Sequence, residues 1–297
     1  MFEGWKILQK HNDNYIHFYA VVVVYNICVC DSLTLNNLKK INKDSVSVII
    51  VDNSTEKFNN KLISEANGWT YLSMNGNLGL SKAYNRALDL IQDKDSVVIW
   101  FDDDTNVTME YFDVLEKDVI ENPQIDIFAP VIQGQDGKFC SPNEYHYIKN
   151  RQLKTKDDNI DCLRFNAINS CSAVRMKVYE KYRYTEQLFL DQVDHQFFED
   201  QRNLGRTFKK LDVVIQHNLS TKSKIYSIEI IKKRYSIMIP DFLWFCHKSI
   251  DRYALGWIKV IGWGIRGAIR FRNLHFFFWC IFIGLKNRCG HIKEDKT

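Results

Sequence analysis

No two of the eight cysteines stand three residues apart, so the chain has no CxxC unit of a zinc ribbon or a thioredoxin-like redox site. Cys28 and Cys30 are two apart, an awkward spacing for a shared metal. Most of the others lie in apolar segments, which reads as reduced core thiols in a reducing compartment. Long apolar runs are missing as well. The longest, "FFFWCIFIGL" (Phe276–Leu285), is half of the ~20 residues a spanning helix needs. The N-terminal stretch "MFEGWKILQKHNDNYIHFY" is too polar for a secretory h-region, and a cytoplasmic location is expected. Neither GxGxxG nor GxxxxGK followed by Ser or Thr occurs, which removes the dinucleotide fingerprint and the P-loop. No repeat or low-complexity linker interrupts the chain.

What is present is unevenly distributed. From Thr221 to Thr297 there are 15 Lys and Arg against 5 Asp and Glu, while the preceding 220 residues hold 25 basic and 31 acidic groups. Four of the seven Trp also fall in that last part. A basic, Trp-rich end on a mildly acidic body fits an anionic membrane surface or nucleic acid. No nucleic-acid motif accompanies the charge, so a nucleic-acid partner is not expected.

Short, nearly uninterrupted runs rich in Val and Ile predict strands buried on both faces of a parallel sheet. They are Phe18–Asn26, Val46–Ser54, Ser96–Asp104, Ile125–Ile132 and Leu211–His217. Helix-like stretches lie between them: one that Asp31 would cap, "LSKAYNRALDLI" with Ala83, Ala87 and Leu90 or Ile91 on one face, and "TMEYFDVLEKDVI". This alternation predicts an α/β fold with a mainly parallel central sheet. Three strands end in polar groups, at Asn26, at Asp52-Asn53-Ser54 and at Asp102-Asp103-Asp104. Ligands of open parallel sheets bind outside the carboxyl ends of the strands, so these ends mark the expected site.

Asp102 and Asp104 form a DxD pair whose oxygens suit a hard divalent cation, with a nucleotide diphosphate completing its shell. Two other readings compete. The acids could form a solvated turn at the start of the helix that follows, where carboxylates are favourable. A phosphatase-type DxDx(T/V) loop fails, because Thr105 and Asn106 stand at the wrong positions. "MNGNLGLSKAYNRAL" (Met74–Leu88) is a Gly-containing turn entering a helix whose N-terminus could face an anion. In "LFLDQVDHQFFEDQRNLGRTFKKLDVVIQHNLS" (Leu188–Ser220), Asp191 and Asp194 precede or open a helix stopping at Gly205. Either an N-cap or a general base would suit Asp194. His217, at the end of the last strand, could complete a metal shell or simply pack.

In their order these motifs resemble the inverting family 2 glycosyltransferases of the GT-A fold, in particular rhamnosyltransferase-like enzymes of bacterial surface polysaccharide (O-antigen or capsule) assembly. The resemblance runs over about Phe18–Ser220 and rests on "VVVVYN", "VIIVDNS", "NGNLGLSKAYNRAL", "IWFDDDT" and "LFLDQVDHQFF". It implies a GT-A domain over residues 1–220 and a helical, membrane-proximal segment over 221–297. It implies a nucleotide diphosphate sugar donor, a polyprenol-diphosphate-linked glycan acceptor, and Mn²⁺ or Mg²⁺ as cofactor. By position, Asp52 with Asn26 would bind the base, and Asn77 and Gly79 would shape the nucleotide pocket. Asp102 and Asp103 would lie beside the nucleotide, and Asp102, Asp104 and His217 would hold the metal. Asp194 would deprotonate the acceptor hydroxyl. Three departures stand out: Gln196 where a second acid is common, "NSCSAVR" (Asn169–Arg175) where a Gly is usual, and "RYSIMIPD" (Arg234–Asp241) in place of an RYY-then-RN pattern. They leave open a non-catalytic, membrane-bound relative, and nucleotidyl transfer uses similar paired acids.

In "RYALGWIKVIGWGIRGAIRFR", Arg252, Lys259 and Arg266 recur every seven residues, with Arg270 a turn on, and Ile258, Ile261, Ile265 and Ile269 share another face. That pattern suits a helix lying at the inner membrane surface. Four glycines argue against it, at about 1 kcal/mol each, in favour of a subdomain packed on the body.

Overall fold

The computed structural model of the chain describes residues 16–146, 150–217 and 227–294, with side chains in the last stretch as far as residue 286. The polar N-terminal stretch up to residue 15, the junction at residues 220 and 221, and the Cys289 side chain lie outside the described residues.

The Val- and Ile-rich runs are strands because β-branched side chains pack on both faces of a pleated sheet. β1 (Phe18–Val24), β2 (Val46–Asp52), β3 (Thr70–Ser73) and β4 (Val97–Phe101) are parallel, in the order β4-β1-β2-β3. β5 (Ile127–Gly134) pairs with the antiparallel β6 (Phe139–Ser141), and β7 (Asn143–Glu144), β8 (Arg151–Gln152) and β9 (Phe165–Asn166) make a small separate sheet. β10 (Ala173–Arg175) runs antiparallel between β4 and β5, and β11 (Phe208–His217) lies parallel to β5 at the edge. The main sheet therefore reads β11-β5-β10-β4-β1-β2-β3. The carboxyl ends of β1, β2, β4, β5 and β11 share one rim.

Helices cover both faces. α1 (Leu33–Ile41), α2 (Asn60–Ala66), α3 (Leu80–Leu88), α4 (Met109–Glu121) and α5 (Val193–Asn203) connect the strands. One core holds Val21, Val51, Val98 and Trp100 against Ala83, Tyr84 and Phe197; the opposite core holds Ala20, Ile50 and Ile99 against Leu35, Phe112 and Leu115. Each such buried Val, Ile, Leu or Phe side chain contributes about 1.5–3 kcal/mol. α1 is capped by Ser32, whose Oγ accepts from Leu35 N at 3.2 Å, and not by Asp31, which falls in the preceding 3₁₀ turn. Leu88, which ends α3, and Ile91 in the turn after it are buried, and Leu90 is exposed. The cysteines divide: Cys171, Cys246 and Cys280 are core thiols, while Cys30 and Cys162 are exposed and Cys28 and Cys140 half-buried, so the expectation of core thiols holds for only part of the set.

The C-terminal helices α6 (Ile228–Cys246), α7 (Ile250–Phe271) and α8 (Leu274–Glu294) build a third core around Ile239, Phe242, Leu243, Val260, Phe276 and Cys280. The α7 glycines do not break the helix, and three of them, Gly256, Gly264 and Gly267, let its neighbours approach, while Gly262 faces open space. A Cβ on Gly267 would sit 2.1 Å from the Phe276 ring. Charged groups tie these helices to α5: Glu199 accepts from Arg252 at 2.8 and 2.9 Å and from Lys248 at 3.1 Å. Arg252, expected on a membrane-facing row, is thus committed to the body and stacked over Phe245 at 4.1 Å. The isoleucine row is nevertheless open to solvent, with Ile258 at 62% and Ile269 at 72%, and Phe278 and Phe282 on α8 are exposed as well. No helix among the described residues is long and apolar enough to cross a membrane.

Candidate active site

The acidic turn begins where β4 ends. Its backbone is clamped from α1: Ser32 Oγ donates to Asp103 O at 2.7 Å, Thr34 N donates to the same oxygen at 3.2 Å, and Thr34 Oγ1 donates to Asp102 O at 2.5 Å while accepting from Thr105 N at 2.9 Å. Thr34 and Thr105 are fully buried. This clamp aims three carboxylates at the rim. α4 is capped separately by Thr108, so the acids are not its N-terminal turn.

β11 delivers His217 to the same place, its backbone bridging to Thr105. The side chain is 5% exposed, with Nε2 3.3 Å from Asp102 Oδ2 and Nδ1 3.6 Å from Asp104 Oδ1. One ligand atom each from Asp102, Asp104 and His217 lies within 4.8 Å of the others, which is the span of a metal's inner shell. His217 Nδ1 is buried and makes no hydrogen bond, the orphaned ligand atom that a cation would satisfy. Burial works against a charged imidazole, yet the hydrogen bond to Asp102 and the charges of Asp102, Asp104 and Asp103 leave its pKa raised. Burial and the neighbouring acids push Asp103 up to about 6, and burial also raises Asp104. Such crowding of carboxylates is relieved by a bound divalent ion. The donor set, two carboxylates and an imidazole, fits Mn²⁺ or Mg²⁺.

Asp194 is the second residue of α5 and not its N-cap. Burial pushes its carboxyl up to about 7, and the charge of Asp102 adds to the shift. A carboxylate with that pKa is poised for proton transfer near neutrality. The segment before it is held by α6, through the unexpected "RYSIMIPD" stretch. Asp241, 3% exposed, accepts from Phe189 N, Leu190 N and Asp191 N at 3.1, 2.8 and 2.7 Å, and Arg234 pairs in two-pronged fashion with Asp191. The same segment packs on the Gly-containing turn: Leu80 N donates to Phe189 O at 2.6 Å, and a Cβ on Gly79, at φ +92°, would lie 2.8 Å from that oxygen. Gln196, in the place of a second acid, donates to Asp200 at 2.6 Å.

The remaining expected residues line the rim beside β1 and β2. Asn26, at φ +51°, accepts from Thr55 N and Glu56 N at 2.8 and 3.2 Å. Asp52 accepts from Ser54 N, Asn60 and Tyr71 at 3.0, 2.8 and 2.9 Å, so much of its capacity goes to shaping its own loop. Asn77 Oδ1 accepts from Asn53 Nδ2 at 3.0 Å and from Gly79 N at 3.2 Å, which ties the Gly-containing turn to the end of β2. Cys171, in the stretch where the resemblance expects Gly, adopts φ +61°, held by Cys171 N to Trp100 O and Tyr111 Oη to Cys171 O, both 2.7 Å. Sequence reasoning missed Ser32, Thr34, Arg234 and Asp241. Only the polar spacing of Ser32 and Thr34 and the unusual Arg234–Asp241 stretch could have pointed to them.

The family model described as "Glycosyl transferase family 2" matches residues 20–183, more than half of the chain. Among solved structures, S. aureus TarS residues 1–349 aligns with TM-score 0.52 at 15% identity, covering 92% of this chain and 89% of that one. The mannosyltransferase PcManGT of Pyrobaculum calidifontis, solved with GDP-Man and Mn²⁺, aligns with TM-score 0.53 at 11% identity, covering 91% and 86%. These likenesses are of fold, and the fold is GT-A. No curated protein sequence matches the chain.

Proposed function

Because the chain belongs to glycosyl transferase family 2, we propose that it transfers a sugar from a nucleotide diphosphate donor to an acceptor hydroxyl with inversion. Asp194 is the base. The carrying observation is the Asp102–Asp104–His217 cluster, together with a carboxylate, Asp194, whose pKa is pushed up to about 7 by burial and by the charge of Asp102. Asp194 takes the acceptor proton as the oxygen attacks the anomeric carbon from the face opposite the leaving diphosphate, and this in-line geometry inverts the centre. Asp102, Asp104 and His217 would hold Mn²⁺ or Mg²⁺, which supplies positive charge to the departing diphosphate. Asn26, Asp52, Asp103, Asn77 and Gly79 would hold the nucleotide along the rim. Screening nucleotide sugars, dTDP-rhamnose among them, with Mn²⁺ should identify a donor that raises the melting temperature and is slowly hydrolysed, since ligands of the folded state stabilise it by mass action. Failure of every donor to do either would sink the reading.

For the acceptor we propose a lipid-linked glycan, reached at a membrane surface through α7 and α8. Ile258, Ile261, Ile265 and Ile269 leave an apolar face on α7, Phe278 and Phe282 are exposed on α8, and Arg266, Arg270 and the Arg272 cap that ends α7 are exposed too. Such a face gains by insertion into a headgroup region, and the arginines favour anionic lipid. Ile265→Asp combined with Phe278→Asp should lower partitioning onto phosphatidylglycerol vesicles at least about tenfold in a sedimentation assay. Unchanged partitioning would remove the membrane from the account.

A further inference from the structure

A cavity of about 500 Å³ separates the small β7-β8-β9 sheet and the start of α5 from helices α6 and α7. Its two walls differ in chemistry. On the body's side Tyr145, Asn150, Gln152 and His195 offer hydroxyl, amide and imidazole groups; on the other side Phe242 and Phe245 offer aromatic carbon. His195 is kept neutral, because burial lowers its pKa to about 4. Its Nδ1 lies 3.2 Å from Asn166 Oδ1, a donor's position toward that acceptor, which leaves Nε2 to accept. A wall of neutral hydrogen-bonding groups facing a wall of rings matches a sugar, with hydroxyls around its edge and C–H groups on its faces.

The mouth adds two features. Lys259 lines it with its Nζ 5.4 Å over the Phe242 ring, exposed and in no salt bridge with a described residue, unlike Arg252 two turns earlier, which also lines the cavity but is paired with Glu199 at 2.8 Å. Ile258 also lines it, and Ile258 is the first member of the exposed isoleucine row that runs on through Ile261, Ile265 and Ile269. The cavity thus leads from the apolar face, past a cation, to Gln192 and His195, which flank Asp194 in the chain.

We infer that this cavity is the acceptor site, built for a sugar joined through a negatively charged phosphate link to an apolar chain: sugar between the two walls, phosphate at Lys259, chain along the isoleucine row. The assignment rests on the transferase reading above and adds to it where the acceptor binds and by which groups.

The test uses the full chain and three probes below their micelle concentrations: decyl glucosyl phosphate diester, decyl β-glucoside and glucose 1-phosphate, titrated by calorimetry. The diester should bind best, the glucoside about tenfold more weakly, and glucose 1-phosphate more weakly still, because each lacks one of the three contacts. Lys259→Glu should weaken the diester about tenfold and leave the glucoside within twofold, which also shows that the variant's cavity is intact. Asn150→Trp, which fills the cavity, should abolish binding of both. Equal affinity of wild type and both variants for the diester would overturn the assignment, as would equal binding of diester and glucoside. Donor hydrolysis by the wild type, run alongside without any acceptor, separates the two ideas. Its absence strikes the transferase reading, whereas hydrolysis without selective diester binding strikes only the cavity.

Discussion

Asp194→Asn is expected to remove sugar transfer, with kcat falling by about 10²–10⁴ while the nucleotide donor still binds. Asn keeps the shape of Asp and its place as the second residue of α5, but cannot take a proton from the acceptor. The wild-type rate should fall on the acid side as Asp194 gains a proton, with an inflection at or below pH ~7, since a cation beside Asp102 would lower that pKa. The same residue makes a second, independent prediction about stability. A carboxyl whose pKa is raised to about 7 in the folded chain holds a proton there that the unfolded chain, with an ordinary pKa, has already lost. Folding stability from this group therefore falls as pH rises from about 4 to about 7, and above that window the charged group costs the fold about 2–4 kcal/mol. In chelator, Asp194→Asn should melt several degrees above wild type at about pH 8, and the two curves should meet near pH 4. An inactive variant with no gain in stability at high pH would mean that Asp194 does not carry a raised pKa coupled to the charge of Asp102.

Much of this site was legible before any coordinates, for a physical reason. Strands buried on both faces must be apolar along their length, so the polar residues that end them stand out, and in a parallel sheet those ends share a rim. Asn26, Asp52 and the three acids were therefore visible together. His217 was visible only as a lone residue at a strand end; its meeting with Asp102 and Asp104 depends on β10 entering antiparallel between β4 and β5. That strand has three residues, too few to show a period. β3 was missed for a related reason, since as an edge strand it is half exposed and carries no apolar run. The clamps were hidden by distance. Thr34 lies 68 residues from Asp102, and Asp241 lies 50 to 52 residues from the amides it binds. A hydroxyl or carboxylate in a helix looks the same in sequence whether it meets water or a loop. The glycines of α7 misled because propensity counts their cost alone, whereas in the fold Gly264 and Gly267 admit Phe277 and Phe276.

Asp104→Asn should also abolish transfer, but by another route, and the contrast with Asp194 is what makes the pair informative. Asp104 faces His217 Nδ1 at 3.6 Å, in a cluster where Asp102 holds the other ring nitrogen. The three acids raise the pKa of His217, so its imidazole keeps a proton to higher pH than a free one when no cation is bound. A divalent ion must displace that proton, so its affinity should rise with pH through the range in which His217 titrates. Replacing Asp104 removes one ligand and one charge while leaving the Thr34 clamp and Asp102 in place. Metal-dependent nucleotide binding should then weaken by about 10²-fold, against little change for Asp194→Asn. Calorimetric titration of UDP and GDP with and without Mn²⁺ measures this for both variants. The acid turn should also become easier to ionise, because Asp103, pushed up to about 6 by burial and by Asp104 and Asp102, loses a like-charged neighbour. If Asp104→Asn bound nucleotide and Mn²⁺ as well as wild type does, the three acids would be a structural turn braced by His217, and the transfer reaction would need another source of positive charge.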